Sequence, residues 1–341
     1  RMLPLGCVGT SLPSVEHLPL HERSRNNQLA LAALAQIRPE VDAAIDRFGA
    51  DRVGILIGTS TSGIAESEAA LREHAVTGAL PAHFHYGQQE LGSPASMLAA
   101  TLGVPGPAYV HSSACASSSK AMASAARLIR MGVVDAVLTG GVDSLCAFTV
   151  AGFASLESVS AARCNPLSAN RNGINIGEGA ALFLMSREPA AVSLRGWGES
   201  SDGHHMSAPD PVGNGARLAI ESALSRAGIG AQQIDYVNLH GTATVQNDAM
   251  ESRVIHALFG DAVPVSSTKP FTGHALGAAG AIEAGLCWLE MQDANPEGRL
   301  PPHLWDDASD PELPILYAAE IGARTGRPLR WTLSNSFAFG G

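Results

Sequence analysis

The sequence predicts an α/β protein built from two similar halves, each a sheet covered by helices. Three observations carry this reading. Short runs rich in Val, Ile and Leu, the length of buried strands, alternate with longer Ala-rich stretches of helical period. Aromatic residues make up only 5% of the 341 residues while glycine numbers 36, a mix that suits helices packed closely on buried strands. One succession also occurs twice: helix, strand, Gly-Thr turn, then strand, Ser-Ser and a small-residue helix.

In chain order, residues 27–48 read as a helix that leads into strand 53–57, within Asp51-Arg-Val-Gly-Ile-Leu-Ile-Gly-Thr59. Strand 108–111 runs through Ser112 and Ser113 into helix 119–131, and strands 136–138 and 180–185 follow. Arg187-Glu-Pro189 then interrupts the pattern. The halves are therefore expected to meet near 186–195, dividing the chain into 1–188 and 189–341. In the second half, helix 216–227 precedes strand 236–239, which ends in His240-Gly-Thr242. Strand 263–265 then runs through Ser266-Ser267 toward an Ala/Gly-rich helix over 275–292.

Composition bounds the function. With 45% hydrophobic residues the chain can bury a large core. Charged residues are only 16%, low enough to expect an apolar subunit interface. The net charge of −10 and the lack of any Lys/Arg-rich run exclude a broad basic face for nucleic acid. The five cysteines include no C-x-x-C pair, which points away from disulfides and structural zinc and toward a reducing, cytoplasmic setting. No apolar run reaches the roughly 18 residues needed to span a bilayer, and no signal peptide is visible.

Three strand-to-helix junctions carry reactive side chains. Cys115 lies in Ser112-Ser-Ala-Cys-Ala-Ser-Ser-Ser119, at the turn between strand and helix. Unpaired N–H groups at a helix start favour negative charge, so the thiol is expected to have a lowered pKa. His240 opens the turn after the strand 236–239. His274 falls in Lys269-Pro-Phe-Thr-Gly-His274, just before the last helix. Sites of α/β proteins gather at this end of the sheet. Glu283 stands in an apolar helical stretch where a lone carboxylate is costly, and Lys269 is the partner expected for it.

These segments, with Asn172-Gly-Ile-Asn-Ile-Gly-Glu-Gly-Ala180 and Asn335-Ser-Phe-Ala-Phe-Gly-Gly341, resemble in order the motifs of elongating β-ketoacyl-acyl-carrier-protein synthases. The resemblance runs from about Asn27 to Gly341. It implies the thiolase-like fold, two pseudo-symmetric βαβαβαββ halves in a five-layered α-β-α-β-α arrangement. Cys115 would then take an acyl chain from an acyl carrier protein, with no cofactor and no metal. His240 and His274 would bind a malonyl thioester and promote its decarboxylation, supported by Lys269 and Glu283. The amides of Cys115 and Phe339 would form the oxyanion hole, and Phe339 would gate the pocket with Gly340. Arg23, Arg25, Arg127 and Arg130 are the candidates for carrier docking. A homodimer, or a heterodimer with a homologous subunit, would form across 108–111 and the segment after Gly140.

Some positions depart from the family pattern. Asn165-Pro-Leu-Ser168 stands where the family usually has Arg-Pro-Phe-Asp, and Lys120 where elongating members commonly have His. These departures surround the acyl pocket and point to a specialised substrate, such as a polyene or pigment-type polyketide. The family's first strand is not recognisable before Cys7, nor its last after Gly341, so open sheet edges are expected. Two other readings fit the residues less well. A thiolase that condenses without decarboxylation needs a second reactive cysteine where this chain has Phe339-Gly-Gly341. A non-catalytic chain-length-factor-like subunit lacks the nucleophilic cysteine, although this chain can be the catalytic half of such a pair.

Overall fold

The computed structural model describes residues 2–340, so Gly341 lies outside the described residues. Helix α1 (Arg25–Phe48) starts where Ser24 Oγ accepts the Asn27 N–H at 3.1 Å. Pro39 lies inside it, and Ile37 leaves helical dihedrals (φ −125°), the break expected where a ring displaces the preceding turn. The first half continues with β1 (Val53–Gly58), α2 (Ile64–Thr77), α3 (Ser93–Leu102), β2 (Ala108–His111) and α4 (Ser117–Arg130). It ends with β3 (Ala136–Asp143), α5 (Ala147–Ser155) and β4 (Gly179–Ser186). The second half comprises α6 (Asn214–Ala227), β5 (Tyr236–Asn238), α7 (Val245–Phe259), β6 (Pro264–Ser266) and α8 (Lys269–Thr272). It closes with α9 (Ala279–Glu290), β7 (Tyr317–Ala318) and β8 (Thr332–Ser334).

The strands form two four-stranded sheets, ordered β2-β1-β3-β4 and β7-β6-β5-β8. In the first, β1 is parallel to β2 and β3, while β4 returns antiparallel to β3. In the second, β5 is parallel to β6 and β8. The central strands β1 and β5 therefore have matching parallel neighbours, as the repeated succession predicts. Helices α1 and α3 cover the outer face of the first sheet. Helices α4 and α9 touch each other between the two sheets. Ile220 and Leu224 of α6, with Met250, Val254 and Ile255 of α7, pack on Val237 and Val265 of the second sheet. Five layers result.

Two elements differ from the sequence expectation. Strand β3 continues five residues past Leu138, because Gly140 adopts φ 143° and a Cβ there would lie 2.0 Å from the Ala181 carbonyl oxygen. Gly140, left outside the predicted strand, is what lets β4 pair so closely. The last long helix begins with a 3-10 turn over Leu276–Ala278 before α9, so His274 stands farther from its start than expected.

β8 is an edge of its sheet, its only strand partner among the described residues being β5. A groove of about 1140 Å³ lies beside it, bordered by α4, α6, α9 and the segment from Ala190 to Asp202. It touches Ser113, Asn335 and Phe339 but does not contain Cys115, His240 or His274.

Candidate active site

Cys115 is presented by a stapled elbow. Ala114 takes a left-handed φ of 44°, which costs a non-glycine residue roughly 1–2 kcal/mol. Ser117 holds the turn by accepting the Ser113 N–H at 2.8 Å and donating to the Ala114 carbonyl at 2.6 Å. The strain sits where a nucleophile must project from a strand-to-helix turn. Helix α4 approaches the sheet because Gly58 leaves room, a Cβ there falling 2.2 Å from the Ser118 amide.

One expectation is overturned. Cys115 is only 4% exposed, and burial pushes its thiol up to about 12, outweighing the opposing pull of Lys269. Asp143 and Glu283 add to the rise, while the Phe339 backbone N–H works against it. The helix start alone does not yield a thiolate. The polar group nearest the thiol is His274, with Nε2 2.9 Å from Sγ.

His240 and His274 are both buried, with ring centroids 5.3 Å apart in an edge-on arrangement. Burial, reinforced by the positive charge of Lys269, holds both imidazoles well below their ordinary pKa. They are neutral near pH 7. His274 is fixed through its backbone: its N–H donates to Asn175 O at 2.7 Å and its carbonyl accepts from Gly177 at 2.9 Å. The Asn-Ile-Gly motif thus places His274 against the first half.

Behind the imidazoles, Lys269 Nζ lies 2.5 Å from Glu283 Oε1 and 2.5 Å from the His240 carbonyl. Both side chains are nearly inaccessible, so removing either partner leaves a buried charge, a loss of about 3–5 kcal/mol. Burial raises the Glu283 carboxyl against the pull of Lys269. Phe339, 37% exposed, meets Phe153 with ring centroids 5.4 Å apart, and Gly340 adopts φ 94°.

Two supports were not singled out in the sequence. Glu251 on α7 accepts the His240 and Gly241 N–H groups, both at 2.8 Å, and Asn335 Nδ2 at 3.1 Å. Burial pushes its carboxyl up to about 7 against these donors. Asp143, at the end of β3, grips the turn after β1 and the N–H of Gly277. An apolar period does not reveal either one. The signal available was an acidic residue at the end of a buried strand and one on the buried face of α7.

The four arginines are already engaged. Arg25 binds Glu178 at 2.5 Å, and Arg23 donates to Glu16 at 3.0 Å and to the Leu18 carbonyl at 2.7 Å. Arg127 pairs with Glu199, and Arg130 lies 4.4 Å over the Trp197 ring. Arg127 and Arg130 stand near the far end of α4, roughly 18–22 Å along the helix from Cys115 at 1.5 Å per residue.

Cys115, His240 and His274 offer donor atoms within 4.8 Å of one another, a spacing a soft metal can use. Among the described residues His274 Nδ1 has no hydrogen-bond partner, whereas a metal-bound imidazole normally has its free nitrogen anchored. The set is better matched to proton and thioester chemistry. No helix among the described residues is long and apolar enough to cross a membrane.

Comparison with known proteins places this geometry in context. The family described as Beta-ketoacyl synthase, N-terminal domain matches residues 20–191, and Beta-ketoacyl synthase, C-terminal domain matches 191–304. Nodulation protein E of Rhizobium sp. (strain N33) is 31% identical over 98% of this chain and 87% of its own length. The 3-oxoacyl-[acyl-carrier-protein] synthase 2 of Synechocystis sp. is 31% identical over 92% of this chain and 78% of its own. Among solved structures, the ketosynthase ApeO in complex with its chain length factor ApeC from Xenorhabdus doucetiae superposes with a TM-score of 0.92. That match has 48% identity and covers 99% of this chain and 84% of the matched one.

Proposed function

Since the chain belongs to the β-ketoacyl synthase family, a family of condensing acyltransferases with the thiolase-like fold, we propose that it performs a decarboxylative condensation on acyl-carrier-protein thioesters, with Cys115 as the acyl-carrying residue. The carrying observation is the 2.9 Å contact between Cys115 Sγ and His274 Nε2, with His240 beside them and the Lys269–Glu283 pair behind.

The thiol attacks the acyl thioester carbonyl. Its proton passes to His274 and from there to the departing carrier thiolate, which returns the imidazole to neutral. The Cys115 and Phe339 amides stabilise the oxyanion. A malonyl thioester then enters, and the neutral imidazoles of His240 and His274 donate hydrogen bonds to its carbonyl oxygen. Loss of CO₂ leaves an enolate whose carbon attacks the acyl-Cys115 carbonyl. The C–C bond forms, the C–S bond to Cys115 breaks, and the departing thiolate takes up one proton from solvent, the proton that decarboxylation consumes. A low-dielectric pocket makes each of these hydrogen bonds stronger than in water. No step calls on a redox or metal cofactor. His274 thus acts in both half-reactions and His240 in the second.

The division at 188/189 separates the half that bears the nucleophile from the half that bears the imidazoles. A cytoplasmic location fits five free cysteines. The partners are an acyl carrier protein and a second, homologous subunit. β2 is an edge strand with Tyr109 partly exposed, and α5 buries none of its nine residues although they are mostly apolar. Gly141 to Ser144 are buried within the chain, so the second surface starts at α5 rather than directly after Gly140. The 48% identity to a ketosynthase solved with its chain length factor favours a heterodimer with a homologous subunit, and the departures around the acyl pocket favour a specialised, polyene-type polyketide over housekeeping fatty acid synthesis. The test supplies acyl- and malonyl-loaded carrier proteins, with and without a co-expressed homologous subunit, and reads products by intact mass. A β-ketoacyl product with equimolar CO₂ is expected. Condensation without CO₂ release overturns the decarboxylative step.

A further inference from the structure

Asp143 belongs to no catalytic motif, yet it is fully buried and collects an unusual number of donors. Its Oδ1 accepts from Thr59 Oγ1 (2.6 Å), the Ser60 N–H (2.8 Å), the Thr61 N–H (2.9 Å) and Thr61 Oγ1 (2.9 Å). Its Oδ2 accepts from Ser60 Oγ (2.6 Å) and the Gly277 N–H (2.6 Å). The first five donors lie on the turn after β1, in the half that presents Cys115. The sixth lies three residues after His274, in the other half. A Cβ at Gly277 would fall 2.8 Å from Oδ2 and 2.9 Å from the Ser60 amide, so the joint is built for close backbone approach.

We propose that Asp143 is a positioning residue that sets the Cys115–His274 distance by bolting the segment after His274 to the first sheet. The contact it governs is the shortest polar link between nucleophile and base, and it joins residues 159 apart in sequence. Asn175 and Gly177 hold the His274 backbone from one side, and the clasp on Gly277, which Ser60 Oγ also reaches at 3.3 Å, holds the segment that follows it from the other, so both anchors set where the imidazole stands. Asp143 also disfavours the Cys115 thiolate through its charge, alongside Glu283 and against Lys269 and the Phe339 N–H, with the neutral His240 and His274 completing the surroundings. It therefore adds to burial, the larger cause, in keeping the resting thiol protonated until His274 takes the proton. This inference rests on the condensing reading for its kinetic arm only.

The experiment compares wild type with Asp143→Asn and Ser60→Ala. An Asn presents an NH₂ group toward donors and cannot accept from both sides of the clasp. For Asp143→Asn, condensation kcat should fall roughly ten- to a hundredfold, the scale of a misplacement of about 1 Å, with KM for acyl carrier protein within twofold. The pH profile of Cys115 alkylation by iodoacetamide should move to lower pH, since a charge opposing the thiolate is gone. Alkylation reads Cys115 with no substrate present, so this arm stands even if the condensation assignment fails. Ser60→Ala keeps the charge and loses one donor; kcat should drop by a few fold with the alkylation profile unmoved. If Asp143→Asn fails to fold, the Ser60→Ala kcat decides, and an unchanged value overturns the proposal. An unmoved alkylation profile in folded Asp143→Asn, or kcat and KM that change together, also overturns it.

Discussion

The turn after β1 and the turn after β5 occupy the same place in two sheets of matching parallel order, yet only one of them carries chemistry. Thr59-Ser60-Thr61 is clamped by Asp143 and presents no titratable group. His240-Gly241 is clamped by Glu251 and presents an imidazole. The next junctions differ in the same spirit. After β2 the chain makes the strained elbow of Ala114 and offers a thiol; after β6 it offers Lys269 and then His274. Duplication supplied equivalent positions around α4 and α9, and the reaction was divided between them. In the proposed reaction one half holds the acyl group, and the other handles protons and the enolate.

This division can be broken from the second half. His240→Ala should leave Cys115 acylation within about threefold while lowering condensation roughly 10²–10³-fold, the scale of losing one preorganised donor to an oxyanion. Single-turnover acylation and product mass measure the two steps separately. An equal fall in both would mean that His240 serves the nucleophile and that the halves are not divided as described. His274 is the exception, because it touches Sγ and its loss should slow both steps.

The smallest effect is expected at the surface. Arg127→Ala should change KM for acyl carrier protein by less than about threefold, because its guanidinium is already neutralised by Glu199 and an exposed pair of this kind contributes about 0–1 kcal/mol. A tenfold rise in KM would instead place carrier docking on this end of α4.

Much of this was legible in the sequence. Cys115, His240 and His274 stand out because each sits where an apolar strand gives way to a helix, and Lys269 and Glu283 because an isolated carboxylate in an apolar helix needs a cation. The two small-residue helices α4 and α9 were legible as equivalents, but their packing on each other appears only in the fold. What stayed hidden depends on contacts across long separations. Asp143 reads as the end of a strand, and its role appears only when Ser60 and Gly277 converge on it. Glu251 reads as one more acidic residue of a helix until His240 and Asn335 are seen to donate to it. The helix-start argument for Cys115 was sound locally, but burial is a property of the whole fold, and it reverses the sign of the shift.

The most direct test of the account is intact-mass and peptide mapping of the protein after incubation with a panel of acyl-loaded carrier proteins. The account predicts a single acyl adduct on the peptide containing Cys115, lost completely in Cys115→Ala. No adduct on the wild-type protein with any acyl group of the panel, or an undiminished adduct on Cys115→Ala, would contradict it.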